Sequence, residues 1–172
     1  MSSPTTTNVT PIADRPRVPR GYGVPSTTEG LRPWAECEAR LQAAKVYWLA
    51  TIGPDGAPHV RPVDGLYVDG VLYVGGDPRT RWVRNIAANA PVSVHLDEGY
   101  DVVILEGEAE ILDGVAPETA ERLAAASSEK YPEYGMTAEN YSGPGPIAIR
   151  PRRGLGWKAF PKDVTRYRFD RD

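Results

Sequence analysis

The residues that most clearly suggest a chemical role are arginines at the start of a predicted helix. The segment GGDPRTRW places Arg79 and Arg81 in the first helical turn, with Thr80 between them. Cations are unfavourable at a helix N-terminus because the helix dipole is already positive there, so an anion in front of them would account for both. Free N–H groups would add donors, and Gly75 and Gly76 allow close backbone approach. The pattern favours a bound phosphate; the alternative is that both arginines point into water.

A further arginine lies in a predicted strand, residues 57–63. Strand alternation places Arg61 on one face of this strand. An arginine in a β-barrel strand needs a partner or solvent, because an unpaired buried charge is costly. If the strand lies beside the predicted helix, Arg61 and Arg81 would clamp one phosphate. The alternative is that Arg61 pairs with Glu106 or Glu108 of a neighbouring strand.

The elements that would position these residues form an alternating pattern typical of a small barrel. Apolar and polar residues alternate over residues 47–112, and the dipeptide Asp69-Gly70 is a strong hairpin signal. Asp77 is a suitable N-cap and Pro78 suits the first helical position. Predicted strands cover residues 46–52, 57–63, 66–68, 71–74, 92–96, 102–112, 147–153, 154–160 and 164–169, and predicted helices cover 34–45, 78–89 and 118–130. The sequence therefore predicts a mainly β fold, an antiparallel barrel with peripheral helices.

Length and composition set the class of protein. The chain has 172 residues and a formal net charge of -3, which indicates one domain and argues against a nucleic-acid-binding protein. We expect a mobile tail over residues 1–18 and a single domain over residues 19–172. No signal peptide and no membrane-spanning run is present in the sequence, so the expected location is the cytoplasm.

Other reactive residue types give weaker signals. The single cysteine, Cys37, is interpreted as a buried residue of the first helix. His59 and His95 lie in no metal-binding spacing, so no metal site is expected. Trp157 and Lys158 are candidate ligand residues, because an aromatic plane suits a flat cofactor and an ammonium suits an anionic tail. The alternative for this tryptophan is a core or interface position.

Three features together resemble a known family: the segment ATIGPDGAPHVRPV, the following Asp-Gly hairpin and the segment TRWVRNIAANAPVSV. They are similar to the pyridoxamine 5′-phosphate oxidase-like split β-barrel superfamily, which includes flavin- and deazaflavin-dependent oxidoreductases. The resemblance implies an FMN-binding-like split barrel and a homodimer with a cofactor in each groove between the barrels. It also implies that Arg61 holds the cofactor phosphate, that backbone of Pro62 and Val63 lies along the ring, and that Thr80 to Trp82 complete the phosphate site. Trp82 stands where the family has a lysine.

The resulting functional prediction is an oxidoreductase that uses coenzyme F-420, a deazaflavin, or FMN to transfer hydride to or from an unsaturated small molecule. The cofactor would do the difficult chemistry, which accounts for the lack of any assigned catalytic residue. One alternative is a haem-binding or haem-degrading protein of the same fold, for which His59 or His95 would supply an axial ligand. The other is a non-catalytic cofactor-binding protein, which the Trp82 substitution favours.

Overall fold

The alternating segments form one antiparallel sheet that closes on itself. The computed structural model describes residues 10–169. Its strands are β1 (Ile12–Asp14), β2 (Val46–Ile52), β3 (Pro58–Val68), β4 (Val71–Gly75), β5 (Pro91–His95), β6 (Val102–Ile111), β7 (Pro146–Trp157) and β8 (Thr165–Arg168). Its helices are α1 (Trp34–Ala43), α2 (Arg81–Ala88) and α3 (Pro117–Lys130), and short 3-10 turns cover Arg20–Tyr22, Pro132–Tyr134 and Ala138–Tyr141.

The strand order defines a six-stranded barrel with two added strands. The order is β1-β8-β7-β4-β3-β2-β5-β6, and β7 also pairs with β6, which closes the barrel. One edge of β7 is shared by two strands: β4 pairs with its first residues and β8 pairs with residues 153–156. The predicted fold class, a split β-barrel with peripheral helices, is confirmed.

The core lies inside the barrel and beneath α1. Tyr47 and Leu49 of β2 are fully buried, and Cys37 and Leu41 of α1 pack into the same cluster. The predicted hairpin is also present: Asp69 has φ 51° and Gly70 has φ 74°, as a two-residue turn with both central residues in the left-handed region requires.

The N-terminal boundary differs from the prediction. Ile12–Asp14 forms β1 and pairs with β8, so the mobile tail predicted over residues 1–18 is wrong for this segment. Arg15 holds the segment in place, because its guanidinium donates to the carbonyl oxygens of Thr27 (2.9 Å) and Val164 (3.0 Å). The part of that prediction that falls on residues 1–9 lies outside the described residues.

Three other element boundaries differ. The two strands predicted over 57–63 and 66–68 are one strand, β3, and the first two C-terminal strands are one strand, β7. The second helix begins at Arg81 rather than at residue 78. Asp77 instead caps a separate turn, in which Thr80 N donates to Asp77 O (2.9 Å), and Thr80 is extended (φ -72°, ψ 151°). The capping residue is therefore Thr80, which is itself a favourable N-cap type.

Candidate functional site

A cavity of about 620 Å³ lies between the β3–β4 hairpin and the segment that connects α3 to β7. Five residues that the sequence analysis assigned to cofactor binding line its first wall: Pro62, Val63, Gly75, Gly76 and Trp82. The opposite wall comes from the end of α3 and the connection after it, with Ser127, Tyr131, Tyr134, Met136, Asn140 and Tyr141. The fold thus brings five predicted site residues to one cavity.

Trp82 forms a buried part of the first wall. Its side chain is 7% exposed and belongs to the barrel core. A Cβ added to Gly76 would lie 2.2 Å from Trp82 Cζ2, so the indole packs directly against the Gly76 backbone. By contrast, a Cβ added to Gly75 would meet nothing within 4 Å. Trp82 therefore contributes apolar packing, and no charge, to this wall.

Arg61 is exposed and has no acidic partner among the described residues. It lies directly opposite Leu49, which is fully buried, so both side chains leave the strands on the same face. Within residues 10–169, no carboxylate lies within 4.0 Å of the Arg61 guanidinium. The alternative partners, Glu106 and Glu108, each bind an arginine of β7 at 2.7–2.8 Å. The structure therefore does not form the pairing with glutamate, and the Arg61 charge is available to an external anion.

Helix α2 covers the same face of the strands. It packs against β2, β3 and β6, and Asn85 Nδ2 donates to Thr51 Oγ1 (3.0 Å). Thr51 is opposite residue 59 of β3, whereas Trp82 lines the cavity together with Val63. Arg61 lies between these two levels of β3. Arg61 directly precedes two lining residues, Pro62 and Val63, but neither Arg61 nor Arg81 itself lines the cavity.

The N-terminus of α2 offers unused donors. The first helical bond is donated by Arg84 N to Thr80 O (3.1 Å), and no side chain caps the N–H groups before it. The Thr80 hydroxyl donates to Asp77 O (2.7 Å) and keeps its lone pairs. Among the described residues, neither Arg81 nor Arg84 has a carboxylate within 4.0 Å. An anion in front of this helix would meet the free N–H groups and the positive end of the dipole, next to the guanidinium of the first helical residue, Arg81.

Arg79 does not share this availability. Its guanidinium binds both oxygens of Asp77 at 2.5–3.1 Å, and its side chain is 89% exposed. These hydrogen bonds lower the pKa of Asp77 and raise the pKa of Arg79. Arg79 is therefore neutralised locally, unlike Arg61 and Arg81.

Trp157 and Lys158 lie away from the cavity. They are at the end of β7 opposite Pro146, which lines the cavity. Trp157 packs edge-on against Phe160 (centroids 5.8 Å apart), and Lys158 Nζ pairs with Glu36 Oε2 at 3.1 Å. Within one chain, the structure does not bring these two predicted ligand residues to the other site residues.

Neither histidine lines the cavity. His95 is exposed and its ring stacks on Trp48 (centroids 6.3 Å apart, interplanar angle 7°). His59 is half-buried on β3, and its Nε2 has no hydrogen-bond partner among the described residues. Residues 10–169 contain no group of three or more His, Cys, Asp or Glu side chains placed to hold a metal ion.

No individual residue of the second wall was identified from the sequence. Tyr131 joins it to β3, since its hydroxyl donates to Lys45 O (2.6 Å) and accepts from Gly65 N (3.1 Å). Burial raises the pKa of Tyr131 to about 12. Behind it, Lys130 Nζ donates to Tyr47 OH (3.1 Å), and burial lowers the pKa of Lys130 to about 8. The available sequence signal was the density of tyrosines after α3.

The fold is a split barrel with a cavity lined by five of the predicted site residues. The family model described as pyridoxamine 5′-phosphate oxidase matches residues 33–156, so the chain belongs to that family. No curated protein sequence matches the chain. No helix within residues 10–169 has the length and apolar character needed to cross a membrane.

Solved structures share the fold at low sequence identity. A conserved hypothetical protein, Rv2991 from Mycobacterium tuberculosis, is 24% identical, with a TM-score of 0.61 over 78% of this chain and 89% of that one. An F420 reductase is 21% identical, with a TM-score of 0.52 over 74% and 98% of the two chains. A heme binding protein from Mycobacterium smegmatis is 22% identical, with a TM-score of 0.58 over 78% and 58%. At these identities the similarity establishes the fold alone.

Proposed function

We propose that the protein is an oxidoreductase that binds coenzyme F-420 or FMN and transfers hydride to or from an unsaturated small molecule. The observation that carries the proposal is a cavity of about 620 Å³ whose lining includes Pro62 and Val63, the residues that directly follow Arg61 on β3. Among the described residues, the Arg61 guanidinium has no carboxylate within 4.0 Å. A phosphate-bearing flat cofactor needs both features: an anion site at one end and a wide, mostly apolar cavity next to it.

The residues present fit such a cofactor without the family's lysine. Arg61 and Arg81 supply planar forks suited to a phosphate, and the first turn of α2 adds N–H donors. The backbone of Pro62 and Val63 lines the cavity, and the open space at Gly75 lets a ligand approach the chain closely. Trp82 contributes a buried apolar surface instead of a charge, so phosphate neutralisation depends on the arginines.

When bound, the cofactor supplies the hydride chemistry, and the protein supplies binding, orientation and exclusion of water. Arg61, Thr80 and Arg81 would hold the phosphate and so fix the position of the ring. The cavity wall from Pro62 to Leu66 would hold one side of the ligand. Trp82 and the tyrosines opposite would limit the access of water.

A flavin or deazaflavin is favoured over haem by the placement of the histidines. Neither His59 nor His95 lines the cavity, so neither is placed to ligate a haem iron bound there. Haem is the alternative cofactor, because a heme binding protein has a similar fold. The similarity to an F420 reductase supports the deazaflavin, and the arginine cluster fits either phosphate-bearing cofactor.

We also propose a homodimer, with the outer face of β2 and β3 in the interface. Three large apolar side chains there are exposed: Val46 (42%), Ile52 (38%) and Val60 (48%). Large exposed apolar groups on neighbouring strands are typical of an interaction surface. In a dimer, Trp157 and Lys158 would be available to the partner's cavity. Light scattering of the wild-type protein should give twice the monomer mass, and the Val60→Glu protein should give the mass of one monomer. A wild-type protein with the mass of one monomer would contradict the proposal.

The cofactor proposal is tested by titration of the purified protein with FMN, oxidised and reduced coenzyme F-420, and haem. Saturable binding of a flavin or the deazaflavin is expected. Arg61→Ala and Arg81→Ala should each weaken it at least about tenfold, which corresponds to about 1.4 kcal/mol. Arg79→Ala is the matched control, since that guanidinium already binds Asp77.

Riboflavin, which lacks the phosphate, separates the anion site from the ring site. Its affinity should be the same in wild type, Arg61→Ala and Arg81→Ala. Saturable binding of haem alone, or of none of these ligands, would contradict the proposed function. Unchanged FMN and F-420 affinity in both arginine variants would show that the phosphate binds elsewhere.

A further inference from the structure

The second wall of the cavity carries two stacked tyrosines, Tyr131 and Tyr134, which we call the tyrosine shelf. Their ring centroids are 5.2 Å apart and their planes differ by 13°. Tyr131 is 5% exposed, whereas Tyr134 is 52% exposed and lines the cavity. Because Tyr131 covers one face of the Tyr134 ring, the exposed part of Tyr134 is its other face and edge. The shelf therefore presents a free aromatic surface to the cavity.

Asp64 holds the outer ring of the shelf in place. The Tyr134 hydroxyl donates to Asp64 Oδ2 at 2.5 Å, and this contact raises the pKa of Tyr134. Asp64 directly follows Val63 on β3, so the bond joins the two walls of the cavity. The inner ring is fixed separately by the bond from Tyr131 to Lys45 O. A ring held at both its face and its hydroxyl is pre-organised for stacking, which reduces the entropy lost on binding.

The charge of the cavity lining selects against anions at the shelf. Among the described residues that line the cavity, Asp64 is the sole side chain with a formal charge at neutral pH, and it is negative. The faces of aromatic rings also carry negative electrostatic potential. The arginines without a carboxylate partner among the described residues, Arg61 on β3 and Arg81 and Arg84 on α2, do not line the cavity. A ligand group that reaches the shelf is therefore favoured when it is flat and uncharged.

We propose that the tyrosine shelf is the substrate-specificity element of this cavity, and that it selects a neutral, planar, conjugated molecule by stacking on the free face of Tyr134. Asp64 acts as a positioning residue for that ring. The inference names the substrate class for the proposed function and rests on it for the hydride transfer. Binding of the planar molecule itself requires the shelf rather than the cofactor.

The test uses two probes of matched shape that differ in charge, 2-acetylnaphthalene and 2-naphthoate, with binding measured by equilibrium dialysis against the full chain. The neutral probe should bind at least about tenfold more tightly than the anionic one. Tyr134→Leu should weaken the neutral probe about five- to tenfold, as expected for loss of an aromatic stacking partner. Tyr134→Phe keeps the ring and should weaken it only about twofold.

Tyr100→Leu is the matched control, since Tyr100 is 87% exposed and does not line the cavity. Its affinity for the neutral probe should equal that of wild type, and circular dichroism should show that all variants fold. Three results would refute the proposed role of the shelf. They are equal affinity for both probes, no saturable binding of the neutral probe, and unchanged affinity for that probe in Tyr134→Leu.

The cofactor titration of the same variants separates this inference from the proposed function. Arg61→Ala and Arg81→Ala should each bind the neutral probe as wild type does, although each should weaken FMN or coenzyme F-420 at least about tenfold. Probe binding that depends on Tyr134 in a protein that binds no cofactor would refute the oxidoreductase and leave the shelf standing. If the protein binds the cofactor but Tyr134→Leu leaves the affinity for the probe unchanged, the role of the shelf is refuted and the proposed function is retained.

Discussion

The contact between Gly76 and Trp82 makes Gly76→Ala a sharp test of the cavity wall. The added Cβ would lie 2.2 Å and 2.5 Å from two atoms of the indole and 2.8 Å from Val83 Cγ2. Carbon atoms in contact are normally at least about 3.5 Å apart, so the indole must move by about 1.3 Å. Overpacking of this kind costs about 1–3 kcal/mol, and at this chain length each kcal/mol lowers Tm by about 2–4 °C.

Gly75→Ala is the matched control for this change. A Cβ at Gly75 meets nothing within 4 Å, so the variant should be neutral or slightly more stable, because alanine reduces the entropy of the unfolded chain. Both variants would be compared by thermal and urea unfolding and by FMN titration. Because Trp82 lines the cavity, Gly76→Ala should also weaken FMN, whereas Gly75→Ala tests whether that surface tolerates a methyl group.

A double-mutant cycle isolates the cause. In a Trp82→Leu background, the cost of Gly76→Ala should fall to roughly half or less, because the indole atoms that clash are gone. Equal stability of the Gly75→Ala and Gly76→Ala proteins, or an undiminished cost without the indole, would refute the packing argument.

Three further predictions follow from the ionic contacts. Arg79→Ala should change FMN or F-420 affinity less than twofold in titration; a tenfold loss would place that guanidinium in the anion site. Since the pKa of Lys130 is lowered to about 8 when folded, the folded state binds fewer protons than the unfolded state above that pH, so this group adds stability as pH rises from about 8 towards 10.5. Lys130→Met should remove that rise from urea-unfolding curves measured between pH 7 and 9.5, and an identical pH slope in both proteins would count against it. Asp101→Asn should lower the free energy of unfolding by about 3 kcal/mol, because it leaves Arg32, whose side chain is 2% exposed, without the carboxylate 2.6 Å from it. Glu98→Gln, at a 3.5 Å exposed pair, should cost less than about 0.5 kcal/mol, and similar costs for the two would contradict the assignment.

Local signals in the sequence were sufficient for most of the barrel. Alternation and the Asp69-Gly70 turn predicted the strands on either side, because strand period and left-handed turn residues are properties of short segments. The predicted start of α2 was wrong, because Asp77 is a residue type that caps helices but here caps a separate turn. Nothing local distinguishes that turn from the first turn of a helix.

The candidate site was predictable on one wall and not on the other. Arg61 and Arg81 stand out because charged groups in a strand and at a helix start conflict with local preference. The second wall depends on Asp64 meeting Tyr134, 70 residues apart in sequence, and such a pairing is determined by tertiary packing. Tertiary packing also determines the partner of Lys158, whose ammonium pairs with Glu36 and does not reach the cavity.

The short strand β1 has a consequence for the behaviour of the protein in solution. Without it, β8 would be an edge strand with unpaired N–H and C=O groups, which is a template for association between molecules. β1 pairs with Arg166 to Arg168 of β8 and is itself three residues long, with prolines at positions 11 and 16 on either side. Proline lacks the N–H needed to extend a sheet, so the outermost strand offers little to a further chain. A chain shortened to begin at residue 17 should therefore retain its barrel but aggregate. In this way β1 protects the protein from aggregation.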